Sequence, residues 1–351
     1  MVGQTGKRVA AFMMCLVLLC MTGCSGKNED GGSKEPAQEE IQSNTAGQEE
    51  TVDEDTAEQS KLKQAVKPQF ISNGIRSVSL KKDGEEFLHI SREPAGYKMN
   101  FDYWEVLNPY DENVTMNTEV MFEMFEELCS LAFDTPAQIE EGTDTGIADS
   151  DMGFTVEYVD TTDDSKAQST DDADTSAEVI LGKEDGSGGR YAVCAGSEEQ
   201  VYILPEEVLQ MIFDRKPFDY ILKIPVLISA DTLESVEVTA ENHRYEIRVD
   251  AAADSYRFGK KEVDKAEFAA LYQAISGVML HSEIDGERSD KKEDPKLTVI
   301  FHRNRKDAPK VQVSYYSYDK EFDSVEVDGK ERFLVKKEEV DTLIGQIEEA
   351  F

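Results

Sequence analysis

The sequence predicts an α+β fold: two tandem repeats of hairpin-helix-meander-helix, antiparallel sheets with helices packed on one face. Three patterns predict it. Two runs alternate apolar and polar residues on either side of a turn. An amphipathic stretch at helical spacing follows each run. Each half then ends in a strand pattern that runs directly into a helix pattern.

In the first half, Ile75 to Ile90 (IRSVSLKKDGEEFLHI) alternates around Asp83-Gly84. That dipeptide suits a type I′ turn, whose two central residues both need positive φ. A Pro-containing arm from Ser91 to Thr115 leads to a helix over 118–132. Asn117 is its predicted cap, and Met121, Phe125, Leu128 and Ala132 form its apolar stripe. Strands follow at GFTVEYV (from Gly153), AEVILG and RYAVCA. QVYILPEEVLQMI (from Gln200) reads as a strand entering a helix.

The second half repeats the order. LESVEVTAENHRYEIRV from Leu233 is the hairpin, with Asn242 near its turn. Phe268, Leu271, Tyr272, Ile275, Val278 and Met279 share a helical face behind a capping box of Asp264 and Glu267. KLTVIFH, KVQVSYYS and DSVEV match the three meander strands. RFLVKKEEVDTLI from Arg332 matches the closing strand and helix, with Val340, Leu343, Ile344 and Ile347 as the buried stripe. The offset between copies shrinks from 158 residues (Ile75 to Leu233) to 132 (Gln200 to Arg332), as loops shorten. Self-similarity of this kind signals tandem units. The predicted organisation is residues 67–225 and 226–351 for the two units, with a linker near Lys223 to Ala230 that is a candidate hinge or interface.

Ahead of these units, Lys7 and Arg8 precede an apolar run from Val9 to Met21. The run is shorter than the about 20 apolar residues that span a bilayer. Behind a basic start it reads as a signal peptide, residues 1–23. Met21-Thr22-Gly23-Cys24 resembles the lipobox of bacterial lipoproteins. That resemblance implies lipidation of Cys24, cleavage before it, and stable anchoring by two or more acyl chains. Cys15 and Cys20 fall in the discarded segment. Residues 24–66 hold eleven acidic residues, four lysines and almost no large apolar side chain. Such a segment buries too little to offset its ordering entropy and reads as an acidic disordered tether.

The 351 residues carry 73 acidic and 37 basic side chains, a net charge of -36. This balance argues against nucleic acid, which requires basic patches, and against anionic lipid held by protein charge. Cys129 and Cys194 remain in the body. An exported protein can join two such cysteines, but Cys129 also shares a helical face with Phe122 and Phe125, as a core residue would.

The ordered pieces of the first half resemble the domain-of-unknown-function 4340 family of bacterial exported proteins. Trp104-Glu105-Val106, followed by Asn108-Pro109, stands where the family has a Trp-x-Val strand before its arm. Ile180-Leu181-Gly182, Arg190-Tyr191-Ala192-Val193 and Val201-Tyr202-Ile203-Leu204 follow in family order. Thr145-Gly146-Ile147 occupies the family's tyrosine-glycine-leucine turn without its tyrosine or the proline that follows. The resemblance implies a membrane-associated extracytoplasmic protein that accompanies ATP-driven permeases. It implies no catalytic residues.

No chemistry-bearing constellation emerges from spacing. His89 and His302 sit in predicted strands, His243 beside a turn and His281 at a helix end, none at ligand spacing. EDGSGGR from Glu184 lacks the ending of a phosphate loop and reads as a hairpin turn. The acidic stretch from Asp160 lacks EF-hand spacing and reads as a solvated loop. No catalytic residue, metal or cofactor is expected. Aromatic clusters remain: Tyr97, Phe101, Tyr103 and Trp104 in the arm, and Tyr315, Tyr316 and Tyr318 in the second meander. Tyr97, Tyr103, Trp104, Tyr315, Tyr316 and Tyr318 are the candidate interface, since exposed tyrosine and tryptophan concentrate at interfaces. The alternative is core packing.

The expected function is a non-catalytic interaction module: a lipoprotein anchored by lipid to the bacterial cell membrane, accessory to a transport permease or another envelope protein. One alternative is a ligand-binding lipoprotein for a small molecule, cation or peptide. The other is an envelope hydrolase using a carboxylate pair.

Overall fold

Asp83 and Gly84 both adopt positive φ, 54° and 79°, as the type I′ turn requires. They join β2 (Ile75–Lys82) to β3 (Glu85–Ser91). A computed structural model describes residues 62–92, 104–110, 114–170, 172–240, 243–285, 293–306 and 308–351. Leu62–Phe351 form one unit. The predicted signal peptide, Cys24 and the acidic segment up to residue 61 lie outside the described residues.

The first sheet also contains β1 (Lys63–Gln64), β4 (Glu105–Asn108), β5 (Met152–Tyr158), β6 (Thr175–Glu184), β7 (Gly189–Cys194) and β8 (Tyr202–Pro205). Its order is β4-β3-β2-β5-β6-β7-β8, all antiparallel, and β1 joins β6 in parallel off that path. Lys63 pairs with Thr175, Gln64 with Ser176, and Ala65 is buried. β1 therefore begins four residues before the predicted boundary at 67. The pairing is short and parallel, which hydropathy patterning does not reveal.

Among the described residues three α-helices accompany this sheet: α1 (Thr118–Ser130), α2 (Asp164–Ser169) and α3 (Glu206–Phe213). The Asn117 side chain caps α1, accepting from the Val120 N–H at 3.5 Å. Met121, Met124, Phe125 and Leu128 are its buried face. The helix stops at Ser130, so Ala132, expected in the stripe, is exposed, and Leu131 is buried in its place. The acidic stretch from Asp160 is not all loop. Asp163 caps α2 by accepting from the Ser165 and Lys166 N–H groups, and buried Arg76 donates to the Ala167 and Thr170 carbonyls at the far end, 2.5 Å each.

The second sheet comprises β9 (Leu233–Ala240), β10 (His243–Asp250), β11 (Ser255–Phe258), β12 (Lys261–Val263), β13 (Leu280–Glu283), β14 (Leu297–Arg303), β15 (Lys310–Ser317), β16 (Phe322–Val327) and β17 (Lys330–Lys336). Its order is β12-β11-β10-β9-β14-β15-β16-β17-β13. Ala240 pairs with His243; Asn242 lies outside the described residues. The helices here are α4 (Lys265–Ser276) and α5 (Lys337–Ala350). The α4 capping box forms as expected: the Glu267 N–H donates to Asp264 Oδ1 at 2.8 Å, and the Asp264 N–H to Glu267 Oε2 at 3.3 Å. Phe268, Leu271, Tyr272 and Ile275 are buried on α4, and Val340, Leu343, Ile344 and Ile347 on α5. Val278 is buried beyond the helix end. His281, expected at that end, belongs instead to β13 and stacks on Phe322, centroids 4.9 Å apart.

The architecture is thus α+β, mostly antiparallel sheet. Alternation decides which strand faces are buried. Val78, Leu80, Phe154, Val156, Val179 and Leu181 line the first core, and Val236, Val238, Val299, Phe301, Val313 and Tyr315 the second. Each such side chain contributes about 1.5–3 kcal/mol of burial. Cys129 is half-buried, Cys194 is buried, and both are free thiols.

Candidate functional site

The candidate aromatic residues separate on burial. Trp104 is 6% exposed and packs on Phe125, centroids 5.1 Å apart. Tyr315 is 1% exposed, and desolvation pushes its phenol well above the ordinary range. Neither presents a surface to a partner; both are core, Trp104 because it packs against α1 just before β4 and Tyr315 because its position on β15 falls on the buried face. Tyr316 is half-buried, and its hydroxyl donates to Glu326 Oε1 at 3.3 Å. Tyr318 is also half-buried. Tyr97 and Tyr103 lie outside the described residues.

The two sheets meet through residues that composition did not single out. Tyr110, just after β4, donates its hydroxyl to Glu283 Oε1 on β13 at 2.6 Å and packs in a tilted arrangement on Phe333 of β17, centroids 5.4 Å apart. Phe218 packs on the same Phe333 at 5.8 Å. Lys223 Nζ sits 3.5 Å above the Phe218 ring, a cation–π contact, and also donates to the Phe218 carbonyl. Burial and the Glu283 carboxylate push the Tyr110 phenol far up, and burial lowers Lys223. The Leu280 N–H donates to the Lys223 carbonyl at 2.8 Å. The segment Lys223 to Ala230 continues into the second core: Val226 and Ile228 are buried, and the Tyr272 hydroxyl donates to the Ile228 carbonyl. The segment is packed along its length, which leaves little freedom for a hinge.

A cleft of about 440 Å³ opens between the end of α4 and α5, lined by Gln273, Gly277, Met279, Glu338, Glu339 and Thr342. It belongs wholly to the second half. Glu339 Oε2 is already engaged by the Met279 N–H at 2.9 Å.

One polar constellation has triad-like membership. Ser77 Oγ lies 3.0 Å from His89 Nε2, and His89 Nδ1 lies 3.7 Å from Glu86 Oε1. The second distance is too long for a hydrogen bond. Glu86 is instead engaged by the Ser79 hydroxyl. Ser77 is 6% exposed in mid-strand, where an activated nucleophile would lack access. The geometry makes a cross-strand polar network. Two-residue turn geometry alone would set Ser79 opposite Leu88. A bulge between Leu80 and Lys81 shifts the register so that Ser79 faces His89. On the second sheet Glu237 binds Arg244 at 2.7 Å and lies 3.6 Å from His302. Among the described residues no group of three or more His, Cys, Asp or Glu side chains could hold a metal ion. No described helix is long and apolar enough to cross a membrane.

Each half carries an ionic clasp, part-buried in the first and centred on a buried carboxylate in the second, where its last strand enters its last helix. In the first, Arg190 Nε and Nη2 donate to Glu206 Oε2 and Oε1 at 2.7 and 2.9 Å, and Nη1 donates to the Gly182 carbonyl at 2.9 Å. In the second, Asp323 lies between Lys296 at 2.5 Å and Lys337 at 3.9 Å. Sequence alternation held a signal for these: Arg190 shares a face with Ala192 and Cys194, and Asp323 with Val325 and Val327, all but Arg190 buried. A charge at an inward position should prompt a search for its partner.

No protein family, curated protein or solved structure matches this chain.

Proposed function

We propose that the protein is an extracytoplasmic lipoprotein, anchored through Cys24, that acts as a non-catalytic interaction module accessory to a transport permease or another envelope complex. The observation that carries this reading is the Met21-Thr22-Gly23-Cys24 stretch and the acidic segment behind it, which ends where β1 enters the first sheet. An anchor followed by a tether presents a body to partners at the membrane. The packed junction around Tyr110, Phe218 and Phe333 favours a rigid presenting surface over a ligand pocket between the halves.

The two halves are, in this reading, copies of one hairpin-helix-meander-helix unit. Both sheets place the hairpin centrally, β3-β2-β5-β6-β7-β8 against β10-β9-β14-β15-β16-β17. The clasps support the same reading. Arg190 pairs across the sheet with Leu204, two residues before α3, and Asp323 with Val335, two residues before α5. Glu206 and Lys337 are the first helical residues. The two positions thus hold an ion pair of opposite polarity in each copy.

The cleft beside Met279 and Glu339 favours a second reading, capture of a small cationic ligand. Crosslinking in intact membranes, with Cys24→Ala as the unanchored control, separates the two. The first reading expects Cys24→Ala to leave the membrane fraction and to lose a specific envelope crosslink. If Cys24→Ala fractionates like the wild type and residues 1–23 stay attached, the anchored-module reading is wrong.

A further inference from the structure

Asp323 is fully buried on β16. The nearer of the two cations beside it is Lys296 Nζ, 2.5 Å from Oδ2, yet neither carboxylate oxygen has a partner at hydrogen-bonding geometry. The same Lys296 Nζ touches a second carboxylate, Asp341 Oδ1 on α5, at 2.7 Å. Lys337 stands further off at 3.9 Å and is engaged by Ser317 Oγ and the Asp319 carbonyl. Backbone holds the pair in place: the Lys296 N–H donates to the Tyr315 carbonyl at 3.0 Å, and Asp323 lies in register with Ser317 and Val335.

A buried ion pair compensates its desolvation only when the remaining lone pairs and protons are hydrogen-bonded. Arg190 and Glu206 meet that condition; Asp323 does not. Burial accordingly pushes the Asp323 carboxyl above the ordinary carboxylate range. Passing one proton from the Lys296 ammonium to the Asp323 carboxylate removes the buried charge on Asp323 and leaves a primary amine against a carboxylic acid. A second carboxylate rests on the amine, and water is excluded from the acid.

We propose that Lys296 and Asp323 join in an intramolecular isopeptide bond, with Asp341 as the catalytic proton acceptor. The neutral Lys296 amine attacks Asp323 Cγ, forming the N–C bond. Asp341 takes a proton from the nitrogen and returns it to the departing hydroxyl oxygen. The C–O bond breaks and one water leaves. The balance is amine plus acid giving amide plus water, with no oxidant or co-reactant. Contact distance between the amine and the buried carboxyl supplies the proximity that makes such a condensation intramolecular and fast. The product ties the segment before β14 to β16 across the intervening β15.

Tryptic digestion of the purified full chain, read by tandem mass spectrometry, tests this. Trypsin requires a free Lys296 side chain to cleave before Leu297. The expected result is no cleavage there, and a branched peptide whose mass equals the Lys296 and Asp323 peptides less one water. Lys296→Arg, which keeps the cation, should restore cleavage and both linear peptides. Asp341→Asn should lower the branched yield at least tenfold. Full recovery of linear peptides cleaved after Lys296 from the wild-type protein would overturn the proposal, whatever the variants do. An unchanged branched yield in Asp341→Asn would overturn the role of Asp341.

Discussion

The clasp between Arg190 and Glu206 makes a quantitative prediction. The two side chains are 18% and 14% exposed, so the pair is neither a surface ion pair, contributing about 0–1 kcal/mol, nor fully interior, where loss of one partner costs about 3–5 kcal/mol. Glu206→Gln removes the charge that accepts both guanidinium bonds. Arg190 keeps the Gly182 carbonyl at 2.9 Å and a looser Glu184 contact at 3.5 Å. Hydrogen bonds to charged groups contribute about 1.5–3 kcal/mol, so the expected loss is about 2 kcal/mol. With a urea slope of about 2 kcal/mol/M the midpoint should fall by roughly 1 M. Trp104 is the only tryptophan and is buried against α1, so its fluorescence reports this half. Hydrogen bonds from Arg190 hold the Glu206 carboxyl below its ordinary value. Its stabilising contribution is therefore complete above the unfolded value near about 4.3 and is lost as pH falls through the folded one. The gap between wild type and Glu206→Gln should close in acid. Swapping the charges, Arg190→Glu with Glu206→Arg, copies the polarity of the second half and should recover more than half of the single-variant loss. A basic residue at a helix start costs about 0.3–1 kcal/mol of that recovery. A coupling energy below about 0.5 kcal/mol in the double-mutant cycle would refute the reasoning.

Two further predictions concern the thiols and a helix cap. Burial pushes Cys129 and Cys194 each to about 11, with Glu126 adding to Cys129, so at pH 8 only about one in a thousand is thiolate. Both should resist iodoacetamide in the native protein and react in urea; rapid native labelling, or a peptide joined by a disulfide, would contradict the structure. Asp264→Ala removes half of the α4 capping box and should cost about 1 kcal/mol in urea unfolding followed by circular dichroism. Asp264→Asn should cost far less, and equal losses would show that the cap geometry is not the cause.

Elements with local signals are legible in the amino-acid order alone. Asp83-Gly84 specifies its own turn, because only φ-tolerant residues suit it. Asp264 and Glu267 specify a helix start, because the bonds they make lie within one turn. The stripe of Val340, Leu343, Ile344 and Ile347 specifies which face of α5 is buried. Tertiary structure decided what depends on partners distant in sequence. The bulge after Leu80 sets His89 rather than Leu88 opposite Ser79, and no local residue pattern encodes it. Tyr315 and Tyr316 are adjacent aromatics, yet only the first is in the core, because neighbours on a strand point to opposite faces. The parallel pairing of Lys63–Gln64 exists because β6 extends beyond β7 and leaves the Asp174 and Ser176 carbonyls to accept from the Lys63 and Ala65 N–H groups. Tyr110 meets Glu283, and Lys296 meets Asp323, because two sheets and a closing helix converge on them. Alternation fixes the direction of a side chain; only the assembled layers decide what it meets there.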